Sequence, residues 1–237
     1  MAVRYFQHCG HRSTISKTLT DAGWTRKKSA KAAAERNPQL RATWETDVQS
    51  RLAQKECVFI DESAAHDRTA DRKNGWSAKG ISPLEVIKFH REPQLSILPA
   101  YTVDGYLPNP NIYHGSIYAE HIYDWLINDV LPHCNRYVPG QHVQRSNIVM
   151  DNASIHETEE ILEVIEAAGV RVLFLPPYSP DFNPIENDFS VLKGAVHRYF
   201  YMAYTSTNFG PFLVWVVEEF RGKHGPSHFR NCGYVRV

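Results

Sequence analysis

Short apolar runs that stop abruptly at an acid or a proline alternate in this chain with stretches whose apolar positions recur every three or four residues. The first such run, Cys57-Val58-Phe59-Ile60, ends at Asp61 and reads as a strand buried on both faces. A polar loop is expected over 63–80, strands at 84–89 and 95–101, and a helix over 118–131 with Ile122, Trp125 and Leu126 inward. The run Asn147-Ile148-Val149-Met150 again terminates in an acid, Asp151. Ser154 and Glu157 then form a capping box, Ile161, Leu162, Ile165 and Ala168 supply an apolar stripe, and Gly169 closes the helix. A buried strand is expected over 170–175, stopped by Pro176-Pro177. At Asn183-Pro184 the asparagine is placed as the cap and the proline at the first position of a helix carrying Ile185, Phe189, Leu192 and Val196. Three strands followed by helix, strand, helix, strand, helix predict an α/β fold, a mixed sheet with helices packed on its faces.

The first fifty residues follow a different pattern. Ser13 or Thr14 can cap a short helix carrying Ile15, Leu19 and Ala22 and closed by Gly23, and a second helical stretch over 29–36 breaks at Asn37-Pro38. Nine Lys and Arg against four acids give this segment a balance of +5, so the remainder of the formally neutral 237-residue chain carries −5. A basic arm on an acidic body fits a phosphate-rich partner, and Lys17, Arg26, Lys27 and Lys28 are its candidate contacts. The alternative is a solvated basic face. No apolar stretch approaches the roughly 18 residues of a membrane span, and no apolar block opens the chain, so an intracellular protein without a membrane partner is expected. Four widely spaced cysteines make no disulfide framework.

Asp61 and Asp151 both stand at the carboxyl ends of expected buried strands, where ligands gather in open α/β sheets. If those strands are neighbours, about 4.8 Å apart, the two carboxylates can share one ion. Glu186 follows in the first turn of the helix after Asn183-Pro184, with one helix and one strand filling the interval. Three converging carboxylates repel one another and raise their own pKa values, which divalent cations relieve. Hard oxygen donors favour Mg²⁺, and two ions about 3.5–4 Å apart can activate a water and stabilise a leaving oxygen in phosphoryl displacement. Each acid also has a purely structural alternative: Asp61 capping a loop with Glu62 as the reactive neighbour, Asp151 accepting amides of its following helix, Glu186 complementing a helix dipole. Asn152 and His156 are candidates for orienting water, a metal ligand or a phosphate, with turn-shaping and surface exposure as their bland alternatives.

The segments 58–63 (VFIDES), 148–154 (IVMDNAS) and above all 175–187 (LPPYSPDFNPIEN) resemble the catalytic core of Tc/mariner-superfamily transposases, members of the larger ribonuclease-H-like group. The resemblance runs from about residue 12 to residue 198, and 72–80 (RKNGWSAKG) is similar to the hairpin after the first acid. It implies a ribonuclease-H-like five-stranded sheet ordered 3-2-1-4-5, with Asp61, Asp151 and Glu186 as a catalytic triad holding two Mg²⁺ ions, for which Mn²⁺ can substitute. The 34 residues between Asp151 and Glu186 match one branch of the superfamily. The implied activity is metal-dependent DNA cleavage and strand transfer, with transposon ends and target DNA as partners, a homodimer as the assembly on DNA and, in a eukaryote, the nucleus as the location. Three segments are implied: 1–50, a helix-turn-helix remnant and linker; 51–200, the endonuclease domain; 201–237, an aromatic helical tail. Family members usually carry two helix-turn-helix units, of which only the tail of the second is visible here, at 13–23, and Phe189 stands where tryptophan is common.

Two other functions fit the same fold: a decayed or host-adopted module that binds DNA without cutting, and a metal hydrolase of small phosphate esters. His8, Cys9 and His11, and His224, His228 and Cys232, have the residue types of zinc ligands at spacings that fit no standard site, and read as surface histidines. Tyr199, Phe200, Tyr201 and Tyr204 read as a packed C-terminal lid rather than as a base-stacking platform. Arg26-Lys27-Lys28 is too short for a nuclear signal.

Overall fold

The structure, a computed structural model, describes residues 12–25, 36–65, 76–82, 94–151, 159–199, 202 and 209–236. The chain forms two compact units, Met1–Ala34 and Glu35–Val237. In the first, α1 spans Arg12–Asp21. Because that helix already begins at Arg12, Ser13 and Thr14 lie within its first turn and do not precede it as caps. Ile15 and Leu19 are exposed, as is Lys17. The second helical stretch expected at 29–36 falls, except for Arg36, outside the described residues.

The larger unit is built on β1 (Cys57–Ile60), β4 (Ala100–Thr102), β5 (Gly105–Tyr106), β7 (Asn147–Met150) and β8 (Arg171–Phe174), which form one sheet in the order β5-β4-β1-β7-β8. Counted along the chain these five strands stand 3-2-1-4-5, as expected. β1 runs antiparallel to β4 and parallel to β7, and β7 runs parallel to β8. A second sheet joins β2 (Ser63–Ala65), β3 (Leu95–Leu98) and β6 (Asn111–His114).

Strand alternation divides the core in two. Cys57, Phe59 and Val149 face a cluster built with α5 (Pro184–Arg198), α6 (Phe209–Phe220) and α7 (Gly225–Asn231). Val58, Ile60, Ile148 and Met150 face the opposite cluster, with α3 (Ala119–Trp125) and α4 (Glu159–Ala167). Both faces of the central strands are therefore covered, which explains why all four residues of β1 are fully buried. The C-terminal segment is part of this core: Phe229 and Tyr234 set their rings 5.3 and 5.2 Å from that of Phe59, and Tyr199 packs on Trp215 at 5.3 Å. Among the described residues, no helix is long and apolar enough to cross a membrane.

Several expectations are corrected. The run at 95–101 is two strands, because Pro99 separates β3 from β4 and each joins a different sheet. The loop expected at 63–80 begins with β2, and the strand expected at 84–89 lies outside the described residues. β8 is half-buried, not buried, since it is an edge strand with one neighbour, while the flanking Val170 and Leu175 are buried. The helix expected at 118–131 is α3 followed by a wider π-helical turn over Leu126–Val130. Gly169 closes α4 with φ 75°, a left-handed conformation that glycine adopts without steric cost. His228 is only 7% exposed, so it is not a surface histidine. Its Nδ1 lies 2.8 Å from the Tyr101 hydroxyl and 3.8 Å from the carboxylate of Asp188, a residue of α5 with no exposed surface.

Candidate active site

The position of Asp61 follows from a lapse in a strand ladder. β1 pairs with β4 at Phe59↔Tyr101 and Ile60↔Ala100, and the same register resumes beyond at Ser63↔Ile97. In the gap Asp61 stands opposite Pro99, which has no amide hydrogen to continue the ladder. One Asp61 oxygen, Oδ1, accepts from the Glu62 amide at 2.8 Å, and the other, Oδ2, accepts from Asn183 Nδ2 at 2.8 Å.

Asp151 is placed by the parallel pairing of β1 with β7. Phe59 is in register with Val149, so Asp61 and Asp151 each come two residues after a matched pair and leave neighbouring strands side by side. Alternation puts both on the face of Phe59 and Val149, the face that α5 covers. Glu186 lies in the first turn of α5. A cleft of about 470 Å³ is lined by Asp61, Asp151, Glu186 and Asn183 together with the loop 175–180. The structure thus brings the three acids to one place, whereas Glu62 does not line the cleft.

That loop is held from behind. Asp181 accepts from Arg36 Nη2 at 2.6 Å and from Arg41 Nη1 and Nη2 at 3.1 and 2.8 Å. Burial pulls the Asp181 pKa up, and the two guanidiniums outweigh it and hold it below the usual value. Arg41 also lies 3.9 Å over the Phe182 ring, and the Tyr234 hydroxyl donates to the Phe182 carbonyl at 3.0 Å. On the rim, Tyr178 is 59% exposed with φ 54°, an uncommon conformation for an aromatic residue. Sequence reasoning missed these anchors, because each joins positions far apart in the chain.

The cleft is rich in carboxyl groups. Burial, and then the carboxylates of Glu186, Asp151 and Glu62, push Asp61 up to about 8. Burial also raises Glu186, with Lys193 opposing it and Asp151 adding to it. The donor set of carboxylate oxygens, with no thiolate or imidazole among the described lining residues, fits a hard divalent cation such as Mg²⁺ or Mn²⁺. Among the described residues no three His, Cys, Asp or Glu side chains are gathered closely enough to hold an ion. The same finding applies to His224, His228 and Cys232. Lys17 lies on exposed α1 of the smaller unit, while Arg26, Lys27, Lys28, Asn152 and His156 fall outside the described residues.

A mixed sheet of this order, with acids at the adjoining ends of its two central parallel strands, defines the ribonuclease-H-like class. The same fold occurs in the Mos1 transposase paired-end complex with left transposon end (TM-score 0.66, 18% identity, 93% of this chain and 66% of that one). It occurs in the mariner Mos1 paired-end complex with Mg (TM-score 0.65, 17% identity, 93% and 66%) and in the catalytic domain of Mos1 mariner transposase (TM-score 0.57, 15% identity, 87% and 91%). This chain spans about two thirds of the length of the Mos1 chains in those paired-end complexes. No curated protein sequence matches it. The chain belongs to the DDE superfamily endonuclease family, whose model matches residues 56–206.

Proposed function

We propose that this protein is a metal-dependent DNA endonuclease and strand transferase of the Tc/mariner type. The observation that carries the reading is the meeting of Asp61, Asp151 and Glu186 in one acidic cleft of a DDE-family chain. Solved relatives with this fold hold transposon ends, and one holds Mg. Asp61 and Asp151, emerging from adjacent strands, would hold one divalent cation, and Glu186 with one of the two aspartates would hold the second. Bound ions supply neutralisation of the carboxylates, activation of a water and stabilisation of the departing oxygen.

The remaining parts belong to the chain. Water attacks the phosphorus at a transposon end, the phosphorus–O3′ bond breaks and the departing O3′ takes up a proton. The freed 3′-hydroxyl then attacks a target phosphate in the same in-line sense, losing its proton and displacing the target strand's O3′, which leaves as a hydroxyl. Asn183 and the Glu62 amide orient Asp61, and the loop 175–183, pinned at Asp181 and Phe182, forms one wall. Lys17, Arg26, Lys27 and Lys28 contact the DNA backbone, and Asn152 and His156, close to Asp151 in the sequence, support the centre. Joining two DNA ends requires two copies, so the working form on DNA is a homodimer, acting in the nucleus if the host is a eukaryote.

Incubating the chain with labelled transposon-end duplex in Mg²⁺ or Mn²⁺ tests this. Nicking is expected, and Asp151→Asn abolishes it while the melting temperature in EDTA is maintained. Cleavage that survives in the variant refutes the assignment. DNA binding in EDTA with no cleavage by the native chain points instead to a binding module, and turnover of a chromogenic phosphate ester without DNA activity to a small-molecule hydrolase.

A further inference from the structure

Asn183 occupies the N-cap position of α5, yet its side chain makes no capping hydrogen bond. It is 3% exposed, its Nδ2 donates to Asp61 Oδ2 at 2.8 Å, and its Oδ1 is buried with no hydrogen-bond partner. A buried acceptor without a partner is costly, and a helix start offers amides from which an N-cap side chain ordinarily accepts; here the Glu186 amide donates instead to the Asn183 backbone carbonyl at 3.2 Å. The side chain forgoes them. Turning the amide over would set Oδ1 against the Asp61 carboxylate, so contact with that carboxylate decides which way the group faces. We propose that Asn183 is a positioning residue of the metal centre, fixing the Asp61 carboxylate in the orientation that receives a divalent cation, and that it does not serve as the cap of α5.

The chemistry supports that division of labour. Among the described residues, every charged group acting on Asp61 is another carboxylate, so none of them holds it in place by an ion pair. A hydrogen bond from a neutral amide supplies direction without competing for the positive charge the cation brings. Asp61 Oδ1 is fixed by the Glu62 amide and Oδ2 by Asn183, which leaves each oxygen further lone pairs for a ligand bond. Outer partners of this kind typically change metal affinity by about 10–100-fold when removed.

This inference rests on the metal-binding reading of the cleft, and the test separates the two. Mn²⁺ alone is titrated into the full chain, with the free ion followed by electron paramagnetic resonance, for the native protein, Asp61→Asn, Asn183→Ala and Asn183→Ser. Serine is among the best N-caps but too short to reach Asp61, so it restores a capping role and not a positioning one. Asn183→Ala and Asn183→Ser are both expected to weaken Mn²⁺ binding about 10–100-fold. Each is expected to melt in EDTA within about 2 °C of the native protein, less than the loss of a working cap would cost. Native affinity in Asn183→Ser, or failure of either Asn183 variant to fold, overturns the proposal while leaving the metal reading intact. A native chain that takes up no Mn²⁺, or an Asp61→Asn variant that takes it up normally, overturns both.

Discussion

Two helices of this protein open on the same dipeptide and use it differently. At Asn37-Pro38 the asparagine does what its local sequence predicts: Oδ1 accepts from the amides of Gln39 at 2.9 Å and Leu40 at 3.1 Å, and Pro38 starts α2 (Pro38–Thr43). At Asn183-Pro184 the proline again starts the helix, but the asparagine turns away from it toward a carboxylate 122 residues earlier in the chain. The backbones conform alike, with φ and ψ of −93° and 110° at Asn37 and −103° and 102° at Asn183. The surroundings differ. Asn37 is exposed, so the amides of its own helix are the best partners available, whereas Asn183 is buried and its Nδ2 donates to the Asp61 carboxyl group. A local capping signal therefore specifies where the backbone turns, and tertiary neighbours specify what the side chain does.

The largest effect that would sharpen this contrast comes from removing the carboxyl group that Asn183 serves. Asp61→Asn should abolish metal-dependent cleavage and, without metal, make the protein more stable. The sign follows from the raised pKa. The folded protein keeps the Asp61 proton up to about pH 8, while the unfolded chain releases it near pH 4. Folding thus becomes less favourable as pH climbs between those values, and asparagine has no such penalty. Melting curves in EDTA should show the variant's advantage widening from about pH 5 to pH 8; parallel curves would contradict the assigned environment. A smaller effect is expected at the other helix start. Asn37→Ala should cost about 1 kcal/mol, or about 2–4 °C in melting temperature for a chain of this size, and leave Mn²⁺ affinity and cleavage unchanged. Weakened metal binding in that variant would break the comparison.

The contrast also explains what was legible in the sequence. Buried strands that end in an acid are written in contiguous residues, so β1, β7 and the starts of their carboxylates could be read directly, as could α5 from Ile185, Phe189, Leu192 and Val196. The sheet order came from the resemblance carried by 58–63, 148–154 and 175–187 and matches the observed order. The split of 95–101 had a signal, Pro99, because proline inside a strand run marks a break in the ladder. The half-burial of β8 had none, since an apolar run reads the same in a central strand and at an edge. The diversion of Asn183, the buried contact of His228 with Tyr101 and the grip of Arg36 and Arg41 on Asp181 were likewise hidden. Each depends on a partner more than a hundred residues away, which local patterns do not encode.

Anomalous diffraction from crystals of the native chain soaked in Mn²⁺ tests the central claim most directly. The account predicts manganese peaks in the cleft, beside the carboxylates of Asp61, Asp151 and Glu186. Manganese bound elsewhere, or a cleft in which those carboxylates stay apart at saturating metal, would contradict it.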